Sequence, residues 1–302
     1  MSQHQIIECN LDPAQFPGLD VYAVAGNPIT HSKSPAIHKR FAEQSQQAIH
    51  YGCLQPALDD FETAAEVFFA AGGKGMNVTV PFKLDAKAFA QELSPRAQLA
   101  GAVNTLSIQN GKIVGDNTDG AGLVRDLLAQ GIQMQGARIL VLGAGGAARG
   151  VLGPLLDQLP QQLVLANRSA PKADALVQLF CELASARQVA LQSARLIDLV
   201  GSVISNTPFD LVINATAAGL DNASPITDAV ANHIFSTKSF AYDMVYGQVT
   251  PLMRQALQRG ARVSDGLGML VEQAADAFLI WRGAQWSEVI DPRAVLNELR
   301  SI

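Results

Sequence analysis

Cysteine is scarce in this chain: Cys9, Cys53 and Cys181 are the three in 302 residues. Their spacing suits neither a disulfide framework nor a metal site, so they read as reduced thiols in a reducing compartment. Five scattered histidines add no zinc signature, and no metal is expected. No apolar run approaches membrane-spanning length, and the N-terminal residues lack a basic start followed by an apolar core. A membrane span and a secretory leader are therefore both unexpected, and the cytoplasm is the expected location. An excess of positive charge is also missing: 22 Lys and Arg against 27 Asp and Glu leave a formal net charge of −5. That argues against nucleic acid or an anionic membrane as a partner, so an anionic ligand would have to be met by local basic groups. Internal repeats, low-complexity tracts and long charged linkers are absent as well.

What is present is the composition of a globular enzyme, 48% hydrophobic and 16% charged with 25 glycines. At roughly 150 residues per domain the length suggests two domains, each able to bury a core. Val21–Gly26, Tyr51–Gln55 and Met76–Val80 read as short strands, separated by helical patterns from Pro35 to about Gln46 and from Asp59 to Ala71. That alternation predicts a mostly parallel sheet. Thr105–Gln109 and Lys112–Gly115 flank Asn110-Gly111, a dipeptide that favours a type I′ turn, which predicts a hairpin. From Gly120 a second α/β unit begins, with a helix, the apolar runs Ile139–Leu142, Leu163–Ala166, Leu211–Asn214 and Phe240–Val245, and intervening helices. Helices at about Pro251–Gln258, Met269–Arg282 and Pro292–Arg300 close the chain.

The most informative stretch is Arg138-Ile-Leu-Val-Leu-Gly143-Ala-Gly-Gly-Ala-Ala-Arg149. An apolar strand feeding Gly143-x-Gly145-x-x-Ala148 is how a strand hands a dinucleotide pyrophosphate to a helix N-terminus, where free N–H groups and the helix dipole favour an anion. The next run ends in Asn167-Arg168-Ser169, where an NAD binder would place an acidic residue for the ribose hydroxyl. Arg168, with Lys172 nearby, suits a 2′-phosphate instead. Pro154 lies inside the expected cofactor helix and predicts a kink there.

Three polar clusters stand apart from this turn. In Gly26-Asn-Pro-Ile-Thr-His-Ser32-Lys-Ser34-Pro35, Ser34 before Pro35 is a good helix N-cap, and it either caps or binds a carboxylate; Ser32 is not explained by capping. His31 has no acidic partner beside it and reads as a structural loop residue. In Gly75-Met-Asn77-Val-Thr79-Val-Pro81-Phe-Lys83, Asn77 and Thr79 would share one strand face, Pro81 would end the strand, and Lys83 would follow in the loop as a surface charge or a functional one. In Val103-Asn104-Thr105 and Gly115-Asp116-Asn117-Thr118-Asp119-Gly120, Asp116 and Asn117 could make a turn and Asp119 could cap the following helix. A lysine and an aspartate facing one substrate hydroxyl would form a proton-transfer pair, although spacing does not establish that Lys83 and Asp119 meet.

These motifs, with Tyr242-Asp-Met-Val-Tyr246 and Asp265-Gly-Leu-Gly-Met269, resemble the shikimate dehydrogenase family, in order from about Val21 to Ala277. The resemblance implies an NADP-dependent oxidoreductase acting on a CH–OH group, which reversibly reduces 3-dehydroshikimate to shikimate on the route to chorismate and aromatic amino acids. It implies a two-domain α/β fold: a substrate-binding domain from residues 1–118 and 266–302, a Rossmann-like doubly wound NADP-binding domain from 119–265, and a cleft between them. The C-terminal helices would pack back on the substrate domain. By resemblance Ser32 and Ser34 would take the substrate carboxylate; Thr79, Asn104, Asp119, Tyr246 and Gln273 the ring hydroxyls and their surroundings; and Lys83 the proton. Gly143, Ala144, Gly145, Gly146 and Ala147 would hold the pyrophosphate, Asn167, Arg168, Ser169 and Lys172 the 2′-phosphate, and Met244 and Gly266 the nicotinamide side.

Three features depart from the family pattern. Met1 to about Asp20 precedes its usual first strand, and the stretch from about Cys181 to Asn206 is irregular against it. Lys172 stands where arginine would give a bidentate fork. Two other readings stay open: a quinate/shikimate dehydrogenase with broader substrate or NAD use, and a non-catalytic NADP-binding sensor. The sensor would have no reason to keep Lys83, Asp119 and both serines, and Arg168 with Phe82 favours the strict NADP enzyme. Oligomeric state is open, a homodimer included.

Overall fold

The computed structural model describes residues 11–201 and 207–301. Cys9, the first ten residues of the N-terminal segment and the last part of the Cys181–Asn206 stretch lie outside the described residues. The chain forms two compact units, Met1–Thr118 with Leu270–Ile302, and Asp119–Met269.

The first unit contains strands β1 (Asp20–Ala25), β2 (Ile49–Leu54), β3 (Gly75–Val78), β4 (Glu92–Leu93), β5 (Thr105–Gln109) and β6 (Lys112–Asp116), with helices α1 (Ser34–Ser45), α2 (Phe61–Ala70), α3 (Lys83–Phe89) and α4 (Pro95–Ala100). The strand order is β2-β1-β3-β5-β6-β4. β1 pairs in parallel with β2 and β3, whereas β5 runs antiparallel to β3 and to β6. Five of the six strands therefore run one way, the mostly parallel sheet expected, and only β5, the first strand of the hairpin, runs against them. Asn110 and Gly111 have φ of 51° and 77°, the two left-handed residues that a type I′ hairpin needs.

Alternation along β1 splits the core between the two faces of this sheet. Val21, Ala23 and Ala25 face Phe61, Phe68 and Phe82, while Tyr22 and Val24 share the other face with Tyr51, Cys53 and Trp281. Trp281 stacks on Tyr22 with ring centroids 4.6 Å apart and donates its indole N–H to the Leu106 carbonyl at 3.0 Å. The described N-terminal residues run along β2, an edge of the sheet. Leu11 lies against Gly52, and Phe16 stacks on His50 at 3.7 Å, covering part of that strand.

The second unit holds α5 (Asp119–Ala129), β7 (Arg138–Leu142), α6 (Gly146–Leu156), β8 (Gln162–Asn167), α7 (Ala170–Ala186), β9 (Ala190–Arg195), β10 (Leu211–Asn214), α8 (Asp228–Ile234), β11 (Phe240–Asp243), α9 (Pro251–Leu257) and β12 (Arg262–Asp265). Its strands lie in the order β12-β11-β10-β7-β8-β9, and all are parallel. This is the doubly wound Rossmann order, with its switch point between β7 and β10. β7, β8, β10 and β11 are almost wholly buried, as a sheet covered on both faces requires. Helices α10 (Leu267–Arg282) and α11 (Pro292–Ser301) follow.

One expectation is corrected here. The strand expected over Met76–Val80 ends at Val78, before Pro81, and Lys83 opens α3 instead of lying in a loop. Helix α6 carries Pro154 inside it and ends at Leu156. Beyond Cys181 the chain forms the end of α7 and then β9, a sixth strand on the sheet edge.

Candidate active site and dinucleotide turn

In the first unit the chain leaves β1 toward β2 on one side and returns as β3 on the other, so the carboxyl ends of β1 and β3 form a switch point where an open α/β sheet accepts ligands. The first two polar clusters occupy the loops leaving those two strands. The loops are pinned together: the Asn27 N–H donates to the Val80 carbonyl at 3.0 Å, and a Cβ on Gly26 would meet Thr79 Cγ2 at 2.5 Å. Gly26 therefore permits a close approach that any side chain would block.

The capping bond expected of Ser34 is made by Ser32 instead. Ser32 Oγ accepts the Ser34 N–H at 3.2 Å, so Ser32 is the one that satisfies an orphan amide at the start of α1. Ser34 is itself the first helical residue; Lys33 occupies the cap position and makes no side-chain capping bond. The Ser34 side chain is buried and lies at the Tyr51 phenol, whereas His31 is exposed.

Beside them runs a continuous chain of buried polar side chains. Tyr51 Oη donates to Asn77 Oδ1 at 2.8 Å, Asn77 Nδ2 to Thr105 Oγ1 at 3.1 Å, and Thr105 Oγ1 to Asn104 Oδ1 at 2.9 Å. Asn104 Nδ2 donates to Thr118 Oγ1 at 2.9 Å and to Gln273 Oε1 at 3.2 Å. Asn104 and Gln273 are thus brought together. Thr79 lies outside the strand and does not share a strand face with Asn77, as had been expected; Asn77 carries the network instead.

Asp116 is engaged elsewhere. Arg96 grips both its oxygens, Nε at 2.6 Å and Nη2 at 3.0 Å, and Ser94 Oγ donates at 2.5 Å. Burial works to raise the Asp116 carboxyl, but the Arg96 and Ser94 bonds outweigh it and hold the group below its ordinary value. Arg96 also reaches Asp276 of α10 at 3.2 Å, so this ion-pair set ties three elements of the first unit. Asn117 donates to the Ala102 carbonyl at 2.9 Å and is likewise structural. Lys83 is half-buried at the start of α3, in the first unit, and its carbonyl accepts the Val103 N–H at 3.0 Å. Asp119 is buried at the start of α5, in the second unit, to which Tyr246, Met244 and Gly266 also belong.

In the second unit Gly143 has φ of 107° and a Cβ there would press on Thr216 Cγ2 at 2.9 Å, so the first turn glycine is required by both conformation and space. Gly145 caps α6 without a side chain, and a Cβ at that position would meet nothing within 4 Å. An open approach to the N–H groups of an 11-residue helix fits a pyrophosphate. Ala144, Gly146 and Ala147 line the same turn. Asn167 ends β8 and donates to the Ser169 carbonyl at 3.0 Å, while Arg168 and Lys172 project into solvent. At the carboxyl end of the sheet Gly266 passes so close to the Met244 carbonyl that a Cβ would overlap it.

Sequence reasoning missed the group that organises this end. Asp243, wholly buried at the end of β11, accepts from Asn214 Nδ2 at 3.0 Å, Thr250 Oγ1 at 2.6 Å and the Val245 N–H at 3.0 Å. Asn214 in turn accepts from Thr216 Oγ1 at 2.7 Å, against Gly143. Burial pushes the Asp243 carboxyl up, and the Thr250, Asn214 and Val245 donors pull against it. A carboxylate closing an otherwise apolar parallel strand was the available signal.

Fold and sites define a two-domain α/β protein whose second unit is a Rossmann-type dinucleotide binder. Residues 24–106 match the family model for the shikimate dehydrogenase substrate binding domain, and residues 126–224 that for shikimate / quinate 5-dehydrogenase. The shikimate dehydrogenase (NADP(+)) of Vibrio atlanticus is 49% identical over 285 residues, covering 93% of this chain and 97% of that protein. Among solved structures, an Ael1 enzyme from Pseudomonas putida is 46% identical with a TM-score of 0.79, covering 93% of this chain and 98% of that one. Shikimate 5-dehydrogenase from Thermus thermophilus in complex with NADP(H) and shikimate is 32% identical with a TM-score of 0.78, covering 94% of this chain and 99% of that one. This chain belongs to the shikimate dehydrogenase family.

Proposed function

We propose that this protein catalyses the reversible NADPH-dependent reduction of 3-dehydroshikimate to shikimate, the step toward chorismate and aromatic amino acids. The observation that supports this reading is the pair of loops leaving β1 and β3 at one switch point, with Ser32 and Thr79 in those loops and Ser34 and Lys83 opening the helices that follow, in a chain 49% identical to an NADP-dependent shikimate dehydrogenase. Residues 1–118 and 266–302 act as the substrate domain and residues 119–265 as the cofactor domain.

Ser32 and Ser34, at the positive end of α1, orient the substrate carboxylate. Thr79, Asn104, Asp119, Tyr246 and Gln273 read the ring hydroxyls and their surroundings. The turn Gly143–Ala147 holds the pyrophosphate of NADP; Asn167, Arg168, Ser169 and Lys172 hold its 2′-phosphate; and Met244 and Gly266 flank the nicotinamide. When bound, the cofactor supplies or accepts the hydride at the substrate carbon. Lys83 Nζ gives a proton to the ketone oxygen as the hydroxyl forms and takes it back in the reverse direction, with the Asp119 carboxylate orienting the ammonium and the hydroxyl.

The purified protein is expected to generate NADPH absorbance from shikimate and NADP, and little from quinate or from NAD. No turnover of shikimate overturns the reading; equal turnover of quinate or use of NAD replaces it with the broader enzyme. We extend the reading to a cytoplasmic homodimer, checked by cell fractionation and light scattering.

A further inference from the structure

We propose that Tyr51 is a positioning residue for the substrate, the terminus of a one-way hydrogen-bond relay that fixes the side-chain amides of Asn77, Asn104 and Gln273. The proposal rests on the reading of function above, since Asn104 and Gln273 are assigned there to the ring hydroxyls.

The direction of the relay follows from the backbone groups along it. At the far end the Leu270 carbonyl, which can only accept, takes Gln273 Nε2 at 2.8 Å and so turns Gln273 Oε1 toward Asn104. The Thr118 N–H, which can only donate, takes Asn104 Oδ1 at 2.9 Å and so turns Asn104 Nδ2 toward Gln273. Thr105 must then donate to Asn104 Oδ1 and accept from Asn77 Nδ2. The same Asn77 Nδ2 faces the Asn104 carbonyl at 3.4 Å, which leaves Asn77 Oδ1 pointing at the Tyr51 hydroxyl at 2.8 Å. Backbone groups set the sense of the Gln273 and Asn104 amides, while Asn77 Oδ1, where the relay ends, is held by side chains: the Tyr51 hydroxyl at 2.8 Å, with His38 beside it.

The Tyr51 ring has little freedom to leave this post. It lies in β2 with His38 of α1 stacked flat against it, centroids 4.2 Å apart and planes 8° apart, and Trp281 of α10 tilted over it at 6.2 Å. Its phenol also touches Ser34, so the same oxygen adjoins the carboxylate-reading serine and Asn77, the first amide of the relay. A buried acceptor left without its donor turns or shifts to find another, and a rotated Asn77 amide would present the wrong polarity to Thr105 and onward.

Tyr51→Phe keeps the ring and removes the proton. It is expected to raise KM for shikimate about tenfold while kcat and KM for NADP change less than about threefold, the scale of one buried acceptor left unsatisfied. Thr105→Val interrupts the relay from β5 without touching the Tyr51 ring and is expected to do the same, whereas Thr105→Ser, which keeps the hydroxyl, restores the wild-type KM. The Tyr51→Phe, Thr105→Val double variant is expected to be no worse than the more damaging single one, because a relay broken once is already broken. A wild-type shikimate KM in either single variant, a loss of melting temperature without a KM change, or a double variant whose KM rises as the product of the two singles overturns the relay. If Tyr51→Phe does not fold, the Thr105→Val and Thr105→Ser comparison decides alone. A wild-type protein inactive on shikimate is a separate result that removes the functional reading itself, and non-additive melting of the double variant then shows whether the relay exists.

Discussion

Ser32 and Ser34 stand two residues apart at the start of α1, and their Oγ atoms are engaged differently. Ser32 Oγ holds the Ser34 N–H, so Ser32→Ala is expected to cost about 0.5–1 kcal/mol of stability through the lost terminal bond, as well as weakening shikimate use. Ser34→Ala leaves that bond in place and is expected to weaken shikimate use through the substrate and the Tyr51 contact. Melting and Michaelis constants of the two variants separate these effects, and a Ser32 variant with wild-type melting would remove the capping role. At Lys83 the expectation is kinetic: Lys83→Ala loses roughly 10²–10⁴-fold in turnover with a much smaller change in shikimate affinity, because a proton-transfer group acts chiefly in the transition state. Near-normal turnover would dismiss it as the proton donor. Arg168 projects into solvent just after β8, and Arg168→Asp would replace the charge-assisted contact proposed for it, worth on the order of 1.5–3 kcal/mol, with a repelling carboxylate. Titration of both cofactors is expected to show NADP preference lost or inverted; an unchanged preference would place the 2′-phosphate elsewhere.

Among the elements, α5 and α6 depend on a missing side chain. Pro154 has no N–H for the Gly150 carbonyl one turn earlier, and Gly120 of α5 lies against both that carbonyl and the proline ring, where a Cβ would overlap them. Gly120→Ala is expected to destabilise the fold by roughly 1–3 kcal/mol, read as a lower urea midpoint, since overpacking against backbone is poorly relieved. A midpoint within error of wild type would mean the helices slide apart freely. The sequence pattern showed Pro154 but not its partner, because nothing local connects Gly120 to a residue 34 positions away. The buried strands β7, β8, β10 and β11 were legible as apolar runs. β9 was not, as it lies on a sheet edge with half its residues exposed, and β12 is a four-residue edge strand too short to show a period. Lys83 was expected in a loop because Pro81 reads as a breaker, yet a helix begins two residues beyond it.

For the whole molecule, the two switch points explain why the site motifs were readable while their supports were not. The residues proposed to face ligand stand in, or just after, the short loops that follow β1, β3, β7 and β8, so Ser32, Lys83, Gly143 and Arg168 carry local signatures. Tyr51, Thr105 and Asp243 act by meeting partners far along the chain, and spacing alone does not pair them. His38 is of this second kind, and it is expected to add to the acid sensitivity of the fold. It is completely buried among Tyr51, Phe41, Phe278 and Trp281, and burial, opposed in part by Asn77, pushes its imidazole down to about 3 from an ordinary value of 6.5. Folding therefore keeps His38 neutral at acidities where the unfolded chain would protonate it. The unfolded state binds the extra proton, so this residue costs nothing above pH 6.5, and stability falls by up to about 1.4 kcal/mol per pH unit between 6.5 and 3. His38→Phe, which keeps an aromatic ring against Tyr51, is expected to lose less stability than wild type on going from pH 7 to pH 4.5, whatever its stability at neutral pH. Denaturant unfolding of both proteins across that range measures the difference in slope, and parallel curves would show that His38 does not carry the acid sensitivity.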